Sequence, residues 1–133
     1  MILSPTILEI ERNSIMSNIK LESDLSDYVE QELRRLCITG KYLGLPYLVS
    51  AVQRTVVDPN KVKNLSKELY CEVAQEFDAS PNSVERAIRT AITVCWERGG
   101  RETLDKMIGR HLTERPTNCE FIDQVSNYIR RTY

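Results

Sequence analysis

The sequence predicts an all-α protein, a compact bundle of about six helices that contains a helix-turn-helix. Three observations predict it. Only five Gly and five Pro interrupt 133 residues. Apolar residues recur at spacings of three and four through most of the chain, as they do on the inner face of a helix. No strand-type alternation of comparable length follows Ser23. The length is that of one ordinary domain, and 41% hydrophobic with 28% charged residues lies in the globular range.

The first predicted helix spans Ser23 to Cys37. Ser23 and Asp24 serve as caps, Leu25, Val29, Leu33 and Leu36 form one apolar stripe, and Thr39-Gly40 stop it. Glu30, Gln31, Arg34 and Arg35 face solvent. Ahead of it, residues 1–22 read as an amino-terminal arm. Its Leu8, Ile10, Ile15, Ile19 and Leu21 are spaced irregularly and fit a strand, a loose arm or a dimer contact. The expected division is thus an arm at 1–22 and a helical domain at 23–133.

Pro46 suits the first turn of the second helix, where its missing N–H is not needed, and Leu48, Ala51, Val52 and Thr55 make the inner face before Asp58-Pro59. A short helix follows from about Asn60 to Ser66. Glu68 to Phe77 turns Leu69, Val73, Ala74 and Phe77 inward. After the break at Asp78-Ala79-Ser80, a long helix runs from Pro81 to Arg98 and ends at Gly99-Gly100. Thr103 to Ile108 is a short helix, and Asn118 to about Arg131 is the last. Thr117 and Glu120 form its capping box, with Phe121, Ile122, Val125 and Ile129 inward.

Composition excludes several function classes. Eighteen basic against nineteen acidic residues leave a net charge of −1, so no global basic field attracts a polyanion. The distribution is uneven: residues 1–80 carry 9 basic and 12 acidic groups, and residues 81–133 carry 9 and 7, so a polyanion would meet the second part. Four cysteines (Cys37, Cys71, Cys95, Cys119) lie 34, 24 and 24 positions apart with no C-x-x-C pair, which argues against zinc and for buried, reduced thiols. His111 is the one histidine, no G-x-S-x-G accompanies it, and Glu30 and Glu32 fall on different helix faces. The chain reads as a non-enzymatic protein without metal or other cofactor. No apolar run reaches the roughly 18 residues of a membrane helix, and the start lacks a signal-peptide pattern, so the expected location is cytoplasmic.

The informative stretch is Tyr70 to Arg89, within a helix-turn-helix expected at about 68–98. Ala74 is small at the crossing, Val73 and Phe77 flank it, and Asp78 to Ser80 turn, although a Gly is more usual there. Val84, Ala87, Ile88, Ala91, Ile92 and Cys95 form the inner stripe of the second helix. Ser80 caps that helix and Pro81 fits its first turn. The outer face presents Asn82, Ser83, Glu85, Arg86, Arg89 and Thr90. An Arg reads guanine O6 and N7 with two hydrogen bonds, and a Glu accepts from a cytosine amine. Glu85 with Arg89 is equally an i, i+4 ion pair of an ordinary solvated helix. Arg98 and Arg101 suit either phosphates or the negative end of the long helix, the second role being the simpler. Trp96 reads as a core residue more than a stacking platform.

At S-V-E-R-A-I-R-T-A-I-T-V-C-W-E-R-G-G (Ser83 to Gly100), joined to R-P-T-N-C-E-F-I (Arg115 to Ile122), the chain closely resembles the DNA-binding effector domain of the stage 0 sporulation protein A family. The resemblance runs from about Leu25 to Arg131 and takes in G-K-Y-L-G-L-P-Y-L-V-S-A and L-Y-C-E-V-A-Q-E-F. It implies a transcription regulator whose second motif helix enters the major groove of double-stranded DNA and binds tandem short boxes as head-to-tail pairs. By position the family's base-reading Glu and Arg fall on Glu85 and Arg86, and a further groove Arg on Arg89. An Arg that the family commonly carries two positions before that Glu is Ser83 here. The resemblance also implies contact with the polymerase sigma subunit through about Arg101 to Arg110, and the stretch Gly109 to Pro116 is shorter than the family pattern. Twenty-two residues before the first predicted helix cannot hold a receiver domain of about a hundred residues, so phosphorylation and its metal are not carried over. The chain is then a free-standing paralogue or a piece of a longer one. The rival expectation is an interaction module that pairs with a full-length sporulation regulator through the arm without binding DNA. Homodimer formation on DNA follows from the weak binding of one domain to one short box.

Overall fold

The computed structural model describes residues 6–133, with the backbone alone described at 64–66. All regular structure among these residues is helical: α1 (Ile7–Arg35), α2 (Gly44–Val57), α3 (Tyr70–Glu76), α4 (Pro81–Glu97), α5 (Arg101–Ile108) and α6 (Asn118–Thr132). A 3-10 segment, Pro59–Asn64, and one wide π-type turn, Leu65–Leu69, connect α2 to α3. The expected all-α bundle is the observed architecture.

α2 lies at its centre. Leu45, Leu48, Val49, Ala51, Val52 and Thr55 point around much of its circumference and are all buried, so it has no broad polar face and packs on α1, α4 and α6 together. The inner stripe of α1 (Leu25, Val29, Leu33, Leu36) and that of α6 (Phe121, Ile122, Val125, Ile129) close over it. Fully burying each such side chain stabilises the fold by about 1.5–3 kcal/mol. Polar groups at the seams are satisfied: Thr55 donates to Ala51 O (2.8 Å), and Arg130 donates to Thr55 O (2.8 Å).

Several local expectations are corrected. α1 begins at Ile7, so residues 7–22 are helix rather than strand or loose arm, and Ser23 and Asp24 lie inside the helix instead of capping it. The cap is Thr6, whose Oγ1 accepts from Glu9 N–H while Glu9 accepts from Thr6 N–H, both at 3.2 Å. α1 stops at Cys37, φ +66°, before Thr39-Gly40: Ile38 N–H donates to Leu33 O and Cys37 N–H to Arg34 O. The helix expected at 60–66 is the 3-10 segment and the following π turn, and α3 starts at Tyr70 rather than Glu68. Phe77 is 38% exposed, set edge-on to Tyr47 at 5.2 Å instead of in the core. At α6 only half of the capping box forms among the described residues: Thr117 Oγ1 accepts from Glu120 N–H (3.1 Å).

Candidate nucleic-acid interface

α3, its turn and α4 contain the parts that the sequence pattern demands. Val73 and Ala74 of α3 and Val84, Ile88, Ala91, Ile92 and Cys95 of α4 are buried, and the two helices pack directly. Ala87 of the expected stripe is half-buried. The turn shows why no Gly is needed. Ala79 N–H donates to Ala74 O (2.9 Å) and Asp78 N–H to Gln75 O (3.5 Å), a pair of bonds that requires a left-handed residue at the corner. Asp78 takes that conformation at φ +51°, which Asp tolerates better than most side chains.

Ser80 then caps α4, its Oγ accepting from Ser83 N–H (3.1 Å) and donating to Ser83 Oγ (2.8 Å), with Pro81 in the first turn. Two further elements hold α4 in place. α2 approaches so closely that a Cβ on Gly44 would lie 2.3 Å from Ala87 O and 2.7 Å from Ala91 Cβ. From α6, the Asn118 amide donates both to Tyr70 Oη (2.9 Å) and to Glu85 O (3.3 Å), so one side chain ties α3 and α4 together. Burial pushes the Tyr70 hydroxyl above its ordinary range, although the Asn118 bond works the other way.

The six expected site residues share the outward side of this braced helix. Asn82, Ser83, Arg86, Arg89 and Thr90 are exposed and Glu85 is half-buried. Glu85 Oε2 lies 3.5 Å from Arg89 Nη2, the i, i+4 pair that the spacing allows. Among the described residues no acidic group pairs with Arg86. Ser83 is engaged with the cap and offers only what remains of its hydroxyl.

One basic residue on this side was missed. Arg115, in the loop before α6, donates to Thr93 Oγ1 (3.3 Å), one turn beyond Arg89, and so adds a third guanidinium beside the outer face of α4. The R-P-T-N run contains it, but nothing in the spacing says that this loop folds back on α4. Arg98 and Arg101 belong to the helix end: Arg101 donates to Trp96 O (2.7 Å) and stacks on the Trp96 ring at 3.9 Å, while Arg98 reaches Tyr42 Oη (3.4 Å). Trp96 itself is half-buried against the core.

The thiols correct another expectation. All four cysteines are free, but only Cys95 is buried, its thiol pushed up to about 12 by burial. Cys37 is half-buried, and Cys71 and Cys119 are exposed. Among the described residues no group of three or more His, Cys, Asp or Glu is placed to hold a metal, and no helix is long and apolar enough to cross a membrane. Beyond α4, Asp105 of α5 accepts from Leu112 N–H (3.0 Å) and lies 2.9 Å from His111 Nδ1, which holds the short loop after Gly109. These contacts keep the Asp105 carboxyl below its ordinary range, the Leu112 N–H first among them. A family model described as "Sporulation initiation factor Spo0A C terminal" matches residues 29–129, from the second half of α1 into α6.

Proposed function

The chain belongs to the Spo0A C-terminal family, and from that premise we propose that it is a sequence-specific DNA-binding transcription regulator whose α4 reads bases in the major groove. The observation that carries the reading is the exposed Arg86, paired with no acidic group among the described residues, on a helix whose inner face, cap and flanks are all fixed. Its guanidinium suits a guanine edge, and the braced backbone of α4 needs no rearrangement to present it. Glu85 stands beside it as an acceptor for a cytosine amine. Arg89 is a further groove residue, and its weak, exposed pair with Glu85 opens at little cost. Asn82, Ser83 and Thr90 supply the rim, and Arg115 meets a flanking phosphate.

Tandem short boxes occupied head to tail fit the modest footprint of one domain, whose binding to a single box is weak. The exposed side of α5, with Arg101, Glu102 and Lys106, is the proposed contact with the polymerase sigma subunit. The test is binding of the intact chain to a duplex carrying two tandem family boxes and to a scrambled duplex, over a salt series. Preference for the boxes, with affinity falling steeply as salt rises, supports the reading. Equal, weak binding to both duplexes overturns it and favours the rival, an interaction module that does not bind DNA.

A further inference from the structure

α1 carries one seam along its whole length, and the bundle covers only the second half. There Val29, Leu33 and Leu36 are fully buried. Stepping back from Val29 by alternating intervals of three and four residues, the same seam passes Ser26, Glu22, Ile19, Ile15, Arg12 and Leu8. Leu8, Ile15 and Ile19 are 73, 58 and 55% exposed. Residues 7–22 amount to about 24 Å of helix. The hydrogen bond from Gln53 to Glu22 O (3.0 Å) ties only the end of this segment to the bundle.

A heptad seam of this kind is completed by another helix. Its two charges decide which helix and in what direction. Parallel pairing of two copies in register sets Arg12 against Arg12 and Glu22 against Glu22, and like charges in a seam are unfavourable. Antiparallel pairing about Ser17 sets Arg12 of each copy opposite Glu22 of the other, with Ile15 opposite Ile19 in both layers between. Every charge in the exposed seam then meets its complement, and its two central apolar layers are closed.

We propose that residues 12–22 of α1, the span symmetric about Ser17, form an antiparallel two-stranded pair with a second copy of this chain. The contact is isologous, the same patch serving both copies. It is independent of the DNA reading, because head-to-tail occupancy of adjacent boxes has no two-fold axis. A dimer of this type joins two separately bound reading units.

The test is sedimentation of the intact chain from about 1 to about 500 µM, a range that resolves weak self-association. The expected result is a reversible dimer that Ile15→Glu reduces to monomer across the range. Arg12→Glu and Glu22→Arg should each weaken the dimer about tenfold, and the double variant should restore it, because the swap keeps opposite charges facing each other. Circular dichroism of each variant establishes that α1 is still formed. If Ile15→Glu unwinds it, the charge swaps carry the test. A monomer at every concentration overturns the proposal, as does a dimer that the single swaps leave unchanged, which is the signature of parallel pairing or of another surface.

Discussion

Gly44→Ala is the perturbation that most sharply tests how α4 is held. An alanine Cβ there would lie 2.3 Å from the Ala87 carbonyl oxygen and 2.7 Å from Ala91 Cβ, where ordinary contact begins at 3.4 Å. The first obstacle is backbone, so no rotamer change relieves it: α2 and α4 must separate by about 1 Å. Overpacking of this kind costs about 1–3 kcal/mol, and a backbone obstacle belongs near the upper end. Helix propensity acts with the opposite sign but offsets little of this, since Gly44 is the first residue of α2 and the gain of about 0.5–1 kcal/mol from Gly to Ala belongs to a helix interior. The net expectation is a loss of about 2 kcal/mol, or a fall in Tm of about 6–10 °C for a domain of this size. Thermal and urea denaturation followed by circular dichroism measure it. Gly40→Ala, where the new Cβ would touch only the end of Arg34 at 3.4 Å, is the control. A Gly44→Ala protein as stable as the parent, or more stable, would refute the close approach of α2 to α4.

Three other outcomes follow from the geometry. Asp78→Gly should stabilise the fold by about 0.5 kcal/mol in urea denaturation by relieving the left-handed corner, and a loss of stability would contradict the turn as described. In the native protein, a thiol reagent should modify Cys71 quickly, and more slowly both Cys37, which is half-buried, and Cys119, whose thiol donates to Val62 O and is pushed up by burial. Cys95 should react only on unfolding, because burial keeps it protonated; mapping the labelled peptides reads this directly. Asp105 has a folded-state pKa below its unfolded value, so its stabilisation is present above the ordinary carboxylate range and is lost as the pH falls through the folded value. Asp105→Asn should therefore flatten the acid side of a plot of Tm against pH; an unchanged acid limb would show that the Asp105 contacts do not matter in solution.

The parts that were legible in the sequence are those in which local pattern and tertiary environment agree. α4 and α6 each have one wide apolar face, a capping side chain and a clear end, and they form close to where the spacing puts them. α1 was half legible. Its first turns carry two apolar stripes, Leu8–Ile15–Ile19 and Ile7–Ile10–Leu21, which together read as irregular spacing, so the Thr6–Glu9 box has no regular stripe behind it while Ser23 and Asp24 stand directly before one. Capping residues also occur mid-helix, and only the backbone decides which of them caps. Left-handed corners at Cys37 and Asp78 fell on residues other than Gly because the paired carbonyl bonds there offset the strain.

The outer face of α4 was legible because six polar positions on one helix need no knowledge of the rest of the fold. Arg115 and Gly44 were not, for the opposite reason. Arg115 reaches Thr93 from 22 positions away, and Gly44 matters only because the backbone of another helix passes over it. Neither fact has a local signature.

The most direct test of the central claim is the ratio of affinities for the tandem-box and scrambled duplexes, measured for the parent chain and for Arg86→Ala at one physiological salt concentration. Losing a bidentate base contact removes about 1–3 kcal/mol of discrimination, so the ratio should fall at least fivefold while thermal stability is unchanged. An Arg86→Ala protein that keeps the parent's ratio would show that the assignment of readers on α4 is wrong.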